Sequence, residues 1–190
     1  MLEITLWDRM EECTSDEVAR LLPLVSSQRR EQALRYSHTF GRYCCLKSWL
    51  MLRELMDKEH WTMGDFAYND HGKPYLAGGP CFSISHSKAG IAVAVSDRAV
   101  GIDIEHIRHA DDELIARTMN EEEARAIREL GIRELADRAF TRLWTRKEAV
   151  VKAEGVGIRS FEQLQTLLQQ DEWHLESVEK DNYIYSIAYK

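Results

Sequence analysis

The chain has 190 residues, a formal net charge of −7, and is 44% hydrophobic and 30% charged. That composition is ordinary for a globular protein. The length allows one domain or two small halves with a shared core, burying roughly 70% of the unfolded surface with no metal or disulfide staple. The acidic balance argues against broad nucleic-acid binding, which needs a basic footprint, and no apolar run approaches the roughly 18 residues of a membrane span. Cys13, Cys44, Cys45 and Cys81 have neither disulfide-framework nor zinc-ligand spacing. Buried free thiols fit a reducing cytosol. Met1-Leu2-Glu3-Ile4 lacks the basic start of a secretory signal, so a cytoplasmic location is expected.

In chain order, Leu2 to Trp7 alternates as a first strand. Thr14 and Glu17 have capping-box spacing ahead of a helix through Val18, Leu21 and Leu22, which breaks near Pro23. Ser26 or Ser27 caps a second helical segment through Tyr36. The first long helix is predicted from Thr39 to about His60, with Leu46, Trp49, Leu50, Leu52, Leu55 and Met56 as its apolar stripe. Arg29, Arg30, Arg35, Arg42, Lys47 and Arg53 make residues 26–53 the one basic region, either a solvated face or an anion-binding rim. A short strand at Phe66–Tyr68 leads into the turn Asn69-Asp70-His71-Gly72-Lys73-Pro74, which displays Lys73 between Gly and Pro.

Phe82-Ser83-Ile84-Ser85-His86-Ser87 alternates, with Phe82 and Ile84 toward a core and Ser83 and Ser85 on the other side. Gly90 to Ser96 completes a hairpin with it. Val100-Gly101-Ile102-Asp103-Ile104-Glu105 follows. Val100, Ile102 and Ile104 point to a core, while Asp103 and Glu105 lie side by side with Cα atoms roughly 6.5 Å apart. Two carboxylates about 5 Å apart at an effective dielectric near 20 repel by about 3 kcal/mol. A proton, a cation or full exposure to water must offset that. From these six residues alone, an edge strand with a solvated acidic face is the expectation.

Residues 111–123 are strongly acidic, and Asn120 with Glu123 caps a helix over Ala124, Ile127 and Leu130. A second long helix is predicted from about Leu135 to Glu154, ended by Gly155. On it Glu148 and Lys152 stack four residues apart, at the least as an ordinary ion pair worth a few tenths of a kcal/mol, roughly. A short helix over 160–170 and a hairpin from Glu172–Glu179 to Tyr183–Tyr189 close the chain. Each half thus carries a long helix followed by antiparallel strands, an α+β (mixed α/β) arrangement with no linker between.

The order Gly72-Lys73-Pro74, Ser83-Ile84-Ser85-His86-Ser87, Gly101-Ile102-Asp103-Ile104-Glu105 and Trp144-Thr145-Arg146-Lys147-Glu148-Ala149-Val150-Val151-Lys152 resembles the 4'-phosphopantetheinyl transferases. Its length and arrangement are similar to the surfactin-synthetase-activating type, unlike the short trimeric holo-acyl-carrier-protein synthases. The motifs run from residue 72 to about 157; the first 70 residues match only in general character and the tail after 160 hardly at all. The resemblance implies a pseudo-twofold pair of halves, 1–97 and 98–190, each a long helix on a small antiparallel sheet, with the active site between them. It implies transfer of the phosphopantetheine arm of coenzyme A to a serine of an acyl or peptidyl carrier protein, with release of adenosine 3',5'-bisphosphate. Two halves in one chain make a monomer sufficient.

The same resemblance implies roles for residues. Asp103, Glu105 and Glu148 would hold Mg²⁺, with Glu148 ligand, general base or both. Mg²⁺ usually takes one or two carboxylates plus substrate phosphates and water, which suits two acidic residues on one strand face. Lys152 would contact the pyrophosphate, His86 and Ser85 the nucleotide's phosphates, and Lys73 the coenzyme A site, with Lys147 a weaker phosphate candidate. The family's early-helix lysines for the 3'-phosphate do not register on Ser27-Gln28-Arg29-Arg30-Glu31-Gln32; Arg29, Arg30, Arg42 or Lys47 could substitute. Two alternatives compete: a metal-dependent phosphodiesterase or nuclease, which the negative charge disfavours, and a degenerate coenzyme-A-binding protein, against which no carboxylate or lysine of the motifs is missing.

Overall fold

The computed structural model describes residues 1–61, 66–169 and 172–190. The first strand, β1 (Leu2–Trp7), is followed by α1 (Ser15–Leu21), whose N-cap Thr14 accepts from the Glu17 amide. Helix α2 (Ser27–Leu34) is capped by Ser26, and the long α3 (Thr39–Lys58) by the His38 ring, which accepts from the Gly41 amide. Strands β2 (Phe66–Tyr68) and β3 (Pro74–Leu76) form a small hairpin around the Lys73 turn; β3, three residues long and opened by proline, was not foreseen. Strands β4 (Cys81–Ser87), β5 (Gly90–Ser96) and β6 (Val100–His106) come next. Helices α4 (Asp112–Thr118) and α5 (Glu121–Glu129) lead to the second long helix, α6 (Arg133–Glu154). The capping box predicted for α5 is complete, with Asn120 and Glu123 each bonding the other's backbone amide. Gly155 ends α6 in the left-handed conformation, φ 73°. Helix α7 (Phe161–Thr166) runs into a 3-10 turn at Leu167–Gln169; residue 170, the predicted end of that helix, lies outside the described residues. Strands β7 (His174–Glu179) and β8 (Tyr183–Tyr189) close the chain.

The two principal sheets are wound alike. The first has the order β1-β5-β4, the second β6-β8-β7, and every neighbour is antiparallel. In each, a strand leads to a long helix, and the later hairpin returns with its last strand in the centre. This repeat of strand, helix and hairpin is the mixed α+β architecture of two similar halves that the sequence implied.

Strand β5 is buried on both faces, and its side chains are sorted by size. Ile91, Val93 and Val95 pack with Tyr43, Leu46, Leu50 and Phe82 beneath α3. Ala92 and Ala94 face the other way and pack with Val100, Ile102, Ile104 and Ile187 of the second sheet. Small residues on that face let the two sheets approach closely. A third cluster seats Ala149, Val150, Val151 and Ala153 of α6 against Ala188, Leu164 and Leu167. No helix among the described residues is long and apolar enough to cross a membrane.

Candidate active site at the seam of the two sheets

Taken alone, residues 100–105 of β6 predict an acidic face open to water. Instead that face is roofed by α6, and Asp103 is only 2% exposed. Gly101 explains the roof. A Cβ built on it would lie 1.9 Å from the Ala149 carbonyl oxygen and 2.4 Å from the Ala153 amide nitrogen. Helix backbone therefore lies directly on strand backbone, and residues on that face of α6 come down on Asp103 and Glu105.

Lys152 is the clearest consequence. Its Nζ donates to Asp103 Oδ1 at 2.6 Å and to Ser85 Oγ at 2.8 Å. The i,i+4 partner expected for it, Glu148, acts on it only through space. Ser85 in turn donates to Asp103 Oδ1 at 2.8 Å and accepts from the Ile104 amide at 3.3 Å, while Ser83 Oγ accepts from the Ile102 amide at 3.0 Å. The free edge of β6, which would otherwise carry unpaired amides, is thus stitched to β4 by two serines. Asp103 Oδ2 remains buried with no hydrogen-bond partner.

The carboxylates around this point repel one another. Burial pushes Glu105 up to about 7, with Asp103 and then Glu148 adding to the shift, while Arg108 and Lys152 oppose it. Burial and Asp103 raise Glu148 in the same way, against Lys152 and Arg108. Arg108 was not singled out in the sequence. Its guanidinium sits 5.3 Å from the Trp144 ring centroid and 5.9 Å from that of Phe140, a cation-π arrangement that fixes a second positive charge near the acids.

A cleft of about 400 Å³ opens beside Lys152. Its walls are the turn His71–Pro74, the β4 segment Phe82–Ile84, and Glu148, Val151 and Lys152 of α6, with Gly155, Gly157 and Ile158 beyond the helix end. The Lys73 turn is built on Asn69, another residue the sequence reading passed over. Its Oδ1 accepts from the amides of His71 and Lys73 at 3.0 and 2.8 Å, and its Nδ2 donates to the Gly155 carbonyl at 2.8 Å. Lys73 Nζ rests against the carbonyls of Ala153 and Val100 at 3.2 and 3.5 Å. Burial lowers its ammonium, with Cys81 working in the opposite direction. At the end of β4, His86 lies 5.9 Å edge-on from Phe40, and burial followed by the Lys152 charge lowers its imidazole.

Several of the basic residues singled out in the sequence face elsewhere. Lys147 is fully buried; its ammonium donates to the Thr118 carbonyl at 2.9 Å and to Glu123 at 2.5 Å, tying α6 to α4 and α5. Those contacts, and not the cleft beside Lys152, are what the Lys147 ammonium engages in this structure. The early basic region is also largely committed to the fold. Arg29 donates to the Cys45 carbonyl, Arg30 to that of Leu22 and Arg53 to that of Leu24, while Lys47 sits 3.2 Å above the Trp7 ring. Arg42 donates through Nε to the Tyr36 carbonyl at 2.8 Å, beside the aromatic run Tyr36, His38, Phe40 that ends at His86.

The donor set suits a hard cation. Asp103 Oδ2 is an orphaned anionic oxygen, and Glu105 and Glu148 supply more carboxylate oxygen. Among the described residues no three His, Cys, Asp or Glu side chains converge closely enough to hold an ion alone. Carboxylate oxygens of this kind are what Mg²⁺ takes alongside water and substrate oxygens.

Comparison with known proteins agrees with this geometry. Residues 99–187 match the family model described as the 4'-phosphopantetheinyl transferase superfamily. The chain is 41% identical over 114 residues to 4'-phosphopantetheinyl transferase AcpT of Salmonella typhi, covering 57% of this chain and 58% of that one. It is 34% identical to 4'-phosphopantetheinyl transferase HetI of Nostoc sp. (65% and 59% covered) and 26% identical to 4'-phosphopantetheinyl transferase Sfp of Bacillus subtilis (76% and 66% covered). The match thus spans less than two thirds of each of these relatives. Over residues 99–187 the chain is thus similar to the 4'-phosphopantetheinyl transferase superfamily, and the four motifs that carry the likeness lie on elements that meet at one seam.

Proposed function

We propose that the protein transfers the 4'-phosphopantetheine arm of coenzyme A to a serine of an acyl or peptidyl carrier protein. The observation that carries this reading is the cleft itself. It joins a displayed lysine, a helix lysine and a helix glutamate beside a buried, half-partnered aspartate, at the join between residues 1–97 and 98–190, which we take as the two halves. Bound Mg²⁺, held by Asp103 with Glu105 or Glu148, would neutralise charge on the pyrophosphate oxygens.

In this reading Lys73 and His86 bind and orient the coenzyme A phosphates, and Arg42 stands nearest in type for the 3'-phosphate. Lys152 lies between Asp103 and the cleft, where its charge stabilises negative charge developing on the pyrophosphate. Glu148, whose carboxyl is raised toward neutrality by burial and Asp103, accepts the proton of the carrier serine. The serine oxygen bonds to the phosphorus that carries pantetheine. The bond from that phosphorus to the bridging oxygen breaks, and adenosine 3',5'-bisphosphate leaves with the electron pair. Roofing by α6 keeps bulk water from competing as nucleophile.

Glu148→Gln tests the reading. The variant is expected to bind coenzyme A within about threefold of wild type, yet to release under about 1% as much adenosine 3',5'-bisphosphate in the presence of an apo carrier and Mg²⁺, as loss of a general base implies. Release at the wild-type rate would contradict the role given to Glu148.

A further inference from the structure

A serine hydroxyl has one proton to donate and two lone pairs to accept with. At Ser85 all three are in use. Oγ donates to Asp103 Oδ1 at 2.8 Å, and it accepts from Lys152 Nζ at 2.8 Å and from the Ile104 amide at 3.3 Å. The side chain is 5% exposed. No capacity is left for a phosphate oxygen, the partner that family resemblance assigns to it.

The three contacts have one joint effect. Ser85 and Lys152 both bind the same oxygen of Asp103. They fix the carboxylate's rotation, and the other oxygen, Oδ2, is left buried and unpartnered. Ser85 itself cannot swing aside, because the Ile104 amide anchors it to the strand that carries Asp103.

We infer that Ser85 is a positioning residue for the metal site: it holds Asp103 through Oδ1 so that Oδ2 is presented to the cation, and it does not bind coenzyme A directly. The inference rests on the reading of Asp103 as a ligand of Mg²⁺. Partners that orient a ligand commonly alter metal affinity by about 10- to 100-fold when removed. Ser83 provides the matched control. It too is buried on β4 and accepts from a β6 amide, but the hydrogen bonds to Asp103 come from Ser85 and Lys152 and not from it.

The experiment measures Mn²⁺ affinity, with Mn²⁺ replacing Mg²⁺ as a paramagnetic probe, by electron paramagnetic resonance at saturating coenzyme A. Coenzyme A affinity is measured separately by calorimetry in a chelator. Ser85→Ala is expected to weaken Mn²⁺ about tenfold or more, with metal-free coenzyme A affinity within about twofold of wild type. Ser83→Ala is expected to leave Mn²⁺ affinity within about twofold, although it removes a comparable seam hydrogen bond. If Ser85→Ala does not fold, Ser85→Cys carries the test, since its thiol is a weak donor; a several-fold loss of Mn²⁺ affinity supports the assignment.

Wild-type Mn²⁺ affinity in the folded Ser85 variant overturns the inference, as does an equal loss in Ser83→Ala. So does a loss of coenzyme A affinity in the chelator with metal affinity unchanged, which would make Ser85 a phosphate ligand after all. If the wild-type protein binds neither coenzyme A nor Mn²⁺, the transferase reading fails, and the role of Ser85 fails with it.

Discussion

A methyl group on Gly101 would meet backbone on two sides, the Ala149 carbonyl at 1.9 Å and the Ala153 amide at 2.4 Å. Neither neighbour is a side chain that could turn away, so α6 would have to lift from β6 and carry Glu148 and Lys152 off Asp103. Gly101→Ala is therefore expected to cost about 3 kcal/mol or more in denaturant unfolding and to remove transfer activity; wild-type stability would show that the contact is slack. Glu105 makes a second prediction at this scale. Its carboxyl, raised from 4.5 to about 7, holds its proton more tightly in the folded chain than in the unfolded one. Stability of the protein in chelator should therefore fall as pH rises from about 4.5 through 7. Glu105→Gln, which removes the charge, is expected to be more stable than wild type at pH 8 by about 1–3 kcal/mol and no more stable at pH 4. An equal effect at both pH values, read from thermal melts, would contradict the repulsion as its cause.

The elements that bring these residues together were legible to different degrees. Period-two alternation gave β1, β4, β5, β6 and β8, and caps at Thr14, Ser26, Asn120 and Gly155 marked helix ends. Alternation says that a strand has two faces; it does not say what covers the second. From residues 100–105 alone the acidic face of β6 reads as solvated for that reason, and only the order of the motifs implies a metal site between the halves; a glycine inside the strand is the local sign of close backbone approach. For Lys147 likewise, helical spacing puts it beside Glu148 in sequence but cannot show that α4 and α5 lie over it. Lys147→Ala should accordingly destabilise the fold by about 3 kcal/mol, leaving Glu123 without its buried partner, and should leave coenzyme A affinity unchanged. A selective loss of that affinity would return Lys147 to the ligand set. The Lys73 turn depends on side-chain bonds that no periodicity reveals. Asn69→Ala, which removes the side-chain acceptor for two backbone amides and the tie to Gly155, is expected to raise KM for coenzyme A about tenfold, roughly 1.4 kcal/mol, with kcat within about twofold. An unchanged KM would mean that the turn holds without it.

For the molecule as a whole, the functional unit of the proposed reading is the seam. Ala92 and Ala94 bring the first sheet against the second, Ser83 and Ser85 bond across to the edge of β6, and Asn69 ties the Lys73 turn to the end of α6. On the proposed reading neither half would hold the site alone: His86 and Lys73 would come from one, and Asp103, Glu105, Glu148 and Lys152 from the other. The motif order in the sequence pointed to this pairing because each motif falls on an element that reaches the seam. The negative charge of the chain, −7 overall, is compatible with that design because the cations that matter are fixed locally, at Lys73, Arg108 and Lys152. The most direct measurement of the central claim is the intact mass of an apo carrier protein after incubation with this protein, coenzyme A and Mg²⁺. The account predicts that the carrier gains the mass of one phosphopantetheine group, with no gain when Mg²⁺ is chelated. Several apo carriers left at their starting mass, with the protein folded and coenzyme A present, would contradict it.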